Sequence, residues 1–304
     1  MFNQNQINKL GVRLRSSAIN NDDIAELEAY RESCDDFLLQ NTDSVALALQ
    51  KYAIDCVFAG RSKRTKSTIR KLTRPKNASM DLSRMVDLIG LRLVVKDINT
   101  QNRVVEILEG RFFPKEKIDY REDGQPYRAI HLHLHNDRDF RRLEIQIRTL
   151  PQQLWANESE SFGEQVKAGE GPIEVRDYLN ELSSVTRSID RGAAIAVDSL
   201  VSPYFSNRAT LSFRLPQLDS LFATALADKT FVQPGTTFVV VLDNETNALL
   251  HRLKFASADR HEAVSQYQRF TYALDNSRYE TLILNSPLNF GLRVTHPRFF
   301  PESA

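Results

Sequence analysis

Residues 128–135 read Arg-Ala-Ile-His-Leu-His-Leu-His, and residues 141–148 read Arg-Arg-Leu-Glu-Ile-Gln-Ile-Arg. Each stretch alternates polar and apolar side chains with a period of two, the pattern of a β-strand that lays one face on a core. The link between them, Asn136-Asp137-Arg138-Asp139, is short and polar. An antiparallel hairpin is therefore expected. In its second strand Leu143, Ile145 and Ile147 share one face, while Glu144, Gln146 and Arg148 share the other. In the first strand His131, His133 and His135 fall together. A carboxylate, an amide and a guanidinium opposite a wholly aliphatic face make the polar side a candidate site.

Upstream, residues 85–95 (Met-Val-Asp-Leu-Ile-Gly-Leu-Arg-Leu-Val-Val) end in an apolar, β-branched run that reads as a buried strand. A helix over residues 102–112 would cover it. Earlier still, residues 61–76 hold eight Lys or Arg and no acid. Within them a helix is expected over 66–73, with Ser67 near its start. Backbone N–H groups at a helix N-terminus, ringed by Arg61, Lys63, Lys66, Arg70 and Lys71, form an anion site. Residues 22–58 read as two helices, one capped around Asn21-Asp22-Asp23 and carrying Ile24, Leu27 and Tyr30, the other over 43–57. Downstream, helices are expected over 154–162 and 173–192. A boundary is expected within 200–232, followed by a strand at 237–242, a helix at 261–274 and a strand at 281–284. The expected division is residues 1–200 and a small C-terminal α+β module, residues 205–304.

The whole chain of 304 residues carries a formal charge of only +1, so it is not a general polyanion-coating protein. Its basic charge is local, which points to one anionic ligand. Hydrophobic residues at 41% support a packed core. Two cysteines, Cys34 and Cys56, with no CxxC, give no disulfide framework or structural zinc pattern. The first residues lack a signal-peptide apolar run, and no stretch reaches membrane-spanning length. A soluble, reduced, cytoplasmic protein with no membrane partner is expected.

Cations suited to a polyphosphate, with carboxylates Asp87 and Glu144 beside apolar strands, read as metal-assisted phosphoryl or pyrophosphoryl transfer. A carboxylate so placed is costly without a cation, and Mg²⁺ takes one or two carboxylates together with substrate phosphates. Tyr127, at a strand entrance, suits packing or stacking on a base. Three histidines at alternate positions lie far apart for one zinc ion, so a site built on all three is not expected. There is no His-Asp pair for a metal phosphohydrolase and no GxxxxGK[ST] for a P-loop enzyme.

These residues together resemble the RelA/SpoT-type synthetase domain, which makes the alarmones ppGpp and pppGpp. The similarity spans residues 40–170. Its R-x-K-x-x-x-S-I-x-x-K signature corresponds to Arg61, Lys63, Ser67 and Lys71, with Thr68 for the usual Ile. Its D-x-x-G-x-R strand corresponds to Asp87, Gly90 and Arg92. Its G-Y-x-[SA]-x-H segment corresponds to Tyr127, Ala129 and His131, and its E-x-Q-x-R-T segment to Glu144, Gln146, Arg148 and Thr149, followed by Trp155-Ala156.

The resemblance implies a nucleotidyltransferase-like α+β fold, a mixed sheet of about five strands flanked by helices. It implies an enzyme of the GTP diphosphokinase type, a transferase of the stringent response. ATP would give its β,γ-pyrophosphate to the 3′-hydroxyl of GDP or GTP, with Mg²⁺ as cofactor. Arg61, Lys63, Ser67, Lys71 and Arg92 would bind ATP; Tyr127, His131, Gln146 and Arg148 would bind the acceptor; Asp87 and Glu144 would be catalytic and hold the metal.

Three departures bear on the acceptor. Pro126 replaces the usual Gly, and the normally Lys-rich stretch before it reads Asp119-Tyr120-Arg121-Glu122-Asp123-Gly124. After Trp155 the run is Asn157-Glu158-Ser159-Glu160-Ser161, then Gly163 to Gly169 with Lys167, which is similar to a longer branch of the family, as is the tail at 279–300. Two other functions stay open. One is a toxin that pyrophosphorylates the 3′ end of tRNA, as in toxin–antitoxin or antiphage systems. The other is a non-catalytic nucleotide-sensing module. The C-terminal module could regulate, form a homo-oligomer or bind an antitoxin-like partner, with Phe299-Phe300 packing inward or outward.

Overall fold

The computed structural model describes residues 2–16, 18–122, 124–136, 140–162, 171–193, 211–227, 236–243, 245–246, 248–274, 278–286 and 291–300. Helix α1 (Gln4–Arg13) and the long helix α2 (Asn21–Lys51) precede strand β1 (Val57–Ser62) and helix α3 (Thr65–Thr73). Strand β2 (Ile89–Val95), helix α4 (Ile98–Phe112) and edge strand β3 (Glu116–Asp119) follow. The expected hairpin is β4 (Ile130–Asn136) and β5 (Arg141–Thr149). Helices α5 (Leu150–Ser161), α6 (Ile173–Asp190) and α7 (Leu211–Ala227) come next. The C-terminal part is β6 (Thr236–Asp243), β7 (Leu249–Phe255), helix α8 (Arg260–Ala273), β8 (Tyr279–Ser286) and helix α9 (Gly291–Thr295).

The strands form one eight-stranded sheet in the order β3-β4-β5-β2-β1-β8-β6-β7. β2 and β5 run parallel, and the other neighbours are antiparallel. The fold is thus α+β with a mixed sheet. It has three strands more than the five expected, because β6, β7 and β8 extend the same sheet: Gly60 and Arg61 of β1 pair with Asn285 and Leu284 of β8. The boundary expected within 200–232 lies partly outside the described residues, and its described part is helix α7 (Leu211–Ala227).

Each face of the sheet has its own cover. Ile89, Leu91, Leu93 and Val95 of β2, Leu143, Ile145 and Ile147 of β5, and Ile130, Leu132 and Leu134 of β4 pack with α1, α2 and α4. Each such side chain contributes about 1.5–3 kcal/mol on burial. On the opposite face Val57 and Val94 meet Leu150, Leu154 and Trp155 of α5, and Val175, Leu179 and Leu182 of α6.

Two helices were expected across residues 22–58, but the chain forms one of 31 residues. Leu27, Tyr30, Cys34, Leu38, Val45 and Leu49 are all buried, with Thr42 filling the gap, so one apolar stripe runs unbroken at helical spacing. The cap is Asn20, whose side chain accepts from the Asp23 amide. Val57, assigned to a helix by its sequence, instead opens β1 after a turn at Ala53 with φ +51°. Buried Arg31 of α2 donates to Glu28, to Thr65 of α3 and to the hydroxyl of Tyr267 in α8, tying the two ends of the chain together. Among the described residues no helix is long and apolar enough to cross a membrane.

Candidate active site

The strand register turns the sequence alternation into a grid. One row across the sheet reads Glu116, His133, Glu144, Gly90, Arg61. The next reads Ile118, His131, Gln146, Arg92, Ala59. Side chains in these rows project from the face that α5 and α9 flank. The polar face of β5 thus joins that of β4 on one side and that of β2 on the other.

Asp87 stands just before β2, with φ −91° and ψ 23°. Lys63 and Lys71 both reach it, Nζ to carboxylate oxygen at 3.0 and 2.7 Å. Lys71 and Ser67 are four residues apart on one side of helix α3, and Lys63 reaches in from the segment between β1 and that helix, while Lys66 and Arg70 are exposed. Burial opposes the charge on Asp87, but the two ammonium groups outweigh it and hold its pKa below the usual carboxylate value. Arg64 of the basic strip pairs with a distant acid, Glu280 of β8, at 2.6 Å.

Glu144 lies among donors. His131 Nδ1 is 3.0 Å from its Oε1, and Gln146 Nε2 donates to its Oε2 at 2.6 Å. Burial would raise its pKa, yet His131, His133 and Gln146 prevail and depress it well below the ordinary value. With the His131 proton on Nδ1, its Nε2 accepts from the Tyr127 hydroxyl at 2.6 Å, and the Tyr127 oxygen accepts from Arg148 at 3.0 Å. Arg148 also donates to Gln146 and Gln153, and its guanidinium lies 5.3 Å from the Tyr127 ring centre. All four residues expected at the acceptor side, Tyr127, His131, Gln146 and Arg148, therefore join one hydrogen-bonded network ending on Glu144. Tyr127 is half-buried, edge-on to Tyr120 and Trp155.

Arg92 is only 6% exposed. It donates to Glu160 of α5 at 2.9 Å and to the Thr295 carbonyl of α9. Burial lowers its pKa to about 10. The adjacent His296 is held neutral by burial and by the charges of Arg92 and Arg61. The C-terminal segment thus reaches Arg92, one of the residues expected to bind ATP. Arg121, in the stretch expected to be Lys-rich, is engaged by Asp119 and Asn102, at 2.6 and 2.7 Å. The Gly163 to Gly169 segment lies outside the described residues.

Several site residues were not legible beforehand. Glu116 accepts from or pairs with His133 Nδ1 at 2.7 Å, a contact set by the register of a four-residue edge strand with no clear sequence pattern. Glu160, Gln153 and Thr295 meet the site only through tertiary packing. His133 was visible as the alternate neighbour of His131.

Residues 60–162 match the model of a family described as a region found in RelA / SpoT proteins. Among solved structures, the small alarmone synthetase 1 from Bacillus subtilis bound to its product pppGpp is 23% identical, with a TM-score of 0.49 over 55% of this chain and 94% of that one. A second structure of the same enzyme gives 23% and 0.48 over 55% and 93%. A GTP pyrophosphokinase family protein from Streptococcus pneumoniae gives 22% and 0.46 over 55% and 90%. No curated protein matches.

Proposed function

We infer from the RelA/SpoT-type synthetase region that residues 60–162 constitute that this protein is a pyrophosphokinase moving the β,γ-pyrophosphate of ATP to the 3′-hydroxyl of GDP or GTP. The observation that carries this reading is the row Glu144, Gly90, Arg61, with Asp87 at the head of β2 beneath Lys63 and Lys71. Arg61, Lys63 and Lys71, with Ser67 between the lysines, bind the triphosphate. The two lysines exchange Asp87 for phosphate oxygens as ATP enters, so the cations are already gathered and partly desolvated.

The donor set fits a hard divalent cation. Both carboxylates are held charged, although the Glu144 charge opposes the ionisation of Asp87. Asp87 and Glu144 would hold Mg²⁺, whose charge would neutralise the polyphosphate as the reacting phosphorus is attacked. The acceptor base stacks on Tyr127, and Glu144 accepts the hydrogen bond of the 3′-hydroxyl and orients it. The 3′-oxygen bonds to the β-phosphorus, the bond from that phosphorus to the α–β bridging oxygen breaks, AMP leaves, and the hydroxyl proton passes to Glu144 and then to water. The network of His131, Gln146, Tyr127 and Arg148 keeps Glu144 charged and fixed.

A second reading takes the 3′ end of tRNA as acceptor. It is favoured by Arg121, the cation of the segment expected to meet acceptor phosphates, which is already paired with Asp119. Incubation with γ-³²P-ATP and Mg²⁺, with GDP, GTP and bulk tRNA in separate tubes, separates the readings. Label on the guanine nucleotide supports the alarmone reading, and label on tRNA replaces it with the second. ATP binding without transfer to either overturns both in favour of a nucleotide-sensing module.

A further inference from the structure

We propose that His131, His133 and Glu144 form a binding site for a zinc-class divalent cation, which shares Glu144 with the magnesium pair but differs from it in donor chemistry. The candidate ligand atoms of these three residues lie within 4.8 Å of one another. His131 Nδ1 is 3.0 Å, and His133 Nε2 3.7 Å, from Glu144 Oε1. Ligands around a tetrahedral ion with bonds of about 2.0 Å sit about 3.3 Å apart. The trio needs only small rotations to close on such an ion.

Three further observations point to a metal rather than a plain ion-pair cluster. First, His133 is 6% exposed, and its Nε2 is buried without a hydrogen-bond partner among the described residues. That nitrogen lies on the Glu144 side of the ring, the side where a ligand atom is required. Second, each imidazole is anchored through its other nitrogen. His133 Nδ1 meets Glu116 at 2.7 Å, and His131 Nε2 meets the Tyr127 hydroxyl at 2.6 Å. Metal-bound histidines are oriented in this way by an outer carboxylate or hydroxyl. Third, the cluster mixes two imidazoles with one carboxylate, which selects zinc, nickel or cobalt over magnesium. In the bound form the His131 proton moves to Nε2 and is donated to Tyr127. The ion takes Nδ1 of His131, Nε2 of His133 and Oε1 of Glu144, leaving its remaining position to water. The strand spacing explains why two histidines suffice: His131 and His133 are alternate residues of β4, and the third ligand comes from β5, where Glu144 pairs directly with His133. His135, the third histidine of the run, turns to Arg142 instead.

The assignment stands whether or not the chain transfers pyrophosphate, and binding is its test. The full-length protein, stripped with EDTA and dialysed, is titrated with Co²⁺ while the visible ligand-field bands are recorded. Zn²⁺ is then titrated in competition with a chromophoric chelator. One equivalent per chain, with the bands of a four-coordinate cobalt ion, is expected. His133→Gln should weaken binding at least about 100-fold, and Glu116→Gln, which leaves all three ligands in place, about 10–100-fold. His135→Gln should leave binding unchanged. Glu116 is 57% exposed at its side chain, so its variant keeps the test open if His133→Gln does not fold, as thermal melts without metal will show. Absence of stoichiometric binding by the wild type overturns the proposal. So does equal affinity in the wild type and Glu116→Gln, or equal losses in Glu116→Gln and His135→Gln.

Discussion

Glu144 illustrates how one residue acquires its chemistry from its neighbours. On a bare strand it would be an ordinary acid. Here burial works against its charge, and His131, His133 and Gln146 together overcome that burial. Glu144→Gln keeps the shape but removes the charge proposed to orient the acceptor hydroxyl. The expected result is a loss of transfer of about 10²–10⁴-fold in kcat, with ATP affinity nearly unchanged. Single-turnover assays alongside equilibrium ATP binding will measure the two separately, and equal loss of both would remove Glu144 from the chemical step. The same substitution changes acid stability. A carboxylate whose folded pKa is depressed contributes stability above its unfolded pKa and loses it as the pH falls through the folded value. The unfolded value is the ordinary 4.5 of glutamate. Denaturant unfolding of the wild type should therefore lose stability steeply below about pH 4.5, and Glu144→Gln should show a shallower slope there. At this scale much was legible: alternation alone placed Glu144, Gln146 and Arg148 together, and the acid-free basic run gathered Lys63 and Lys71 around one anion site. The Glu116 contact was not, because it depends on which residue of a short edge strand pairs with His133.

Secondary-structure elements carry their own tests. Gly90 lies in β2 between Arg61 and Glu144 in the site row, and an added Cβ would meet nothing nearer than the Glu144 carbonyl oxygen at 3.8 Å. The protein itself can accept a methyl group there, so Gly90→Ala should leave thermal stability within about 0.5 kcal/mol of the wild type. The methyl group would stand in the floor between the phosphate cations and Glu144. Transfer activity should fall at least about tenfold, which steady-state kinetics with ATP as the varied substrate will show; unchanged activity would mean that no ligand passes over this position. Helix α4 ends on Phe113, a left-handed residue at φ +48° whose side chain is 80% exposed. Glycine is the residue suited to that conformation, and the ring gains little from burial. Phe113→Gly should raise stability by about 1 kcal/mol, read as a higher denaturation midpoint at constant m-value. The hairpin and the helices expected over 154–162 and 173–192 were readable because their periods are long and clean. β1 was not: Val57 continues the apolar spacing of the preceding helix, and the chain turns out of α2 at a positive-φ alanine that no sequence rule marks.

At the scale of the whole molecule, the C-terminal strands decide how the site is held. β8 pairs with β1 beside Arg61, Glu280 of β8 neutralises Arg64, and the Thr295 carbonyl accepts from Arg92. Leu292, Phe299 and Phe300 pack with Ala59 of β1 and with the β6 and β8 side chains in a buried cluster. Local sequence gave these elements the look of a separate small module, since each strand and helix reads well alone. Strand partnership is a non-local property, and an antiparallel β1–β8 pairing more than 220 residues apart leaves no trace in either strand. The consequence is specific. A fragment of residues 1–200 would expose the backbone edge of β1 and strip Arg92 of its carbonyl partner while it remains beneath α5. Exposed edges of that kind invite association, and a buried guanidinium left short of a partner costs about 1–3 kcal/mol. The full chain is therefore expected to unfold in one cooperative transition, by circular dichroism and tryptophan fluorescence together, the latter reporting from Trp155 in α5. The fragment is expected to associate or melt without a sharp midpoint and to bind ATP more weakly. A fragment that melts cooperatively, stays monomeric and binds ATP as the whole chain does would show that residues 1–200 need nothing from the strands beyond them, and that the contacts on Arg92 and Arg64 serve regulation rather than folding.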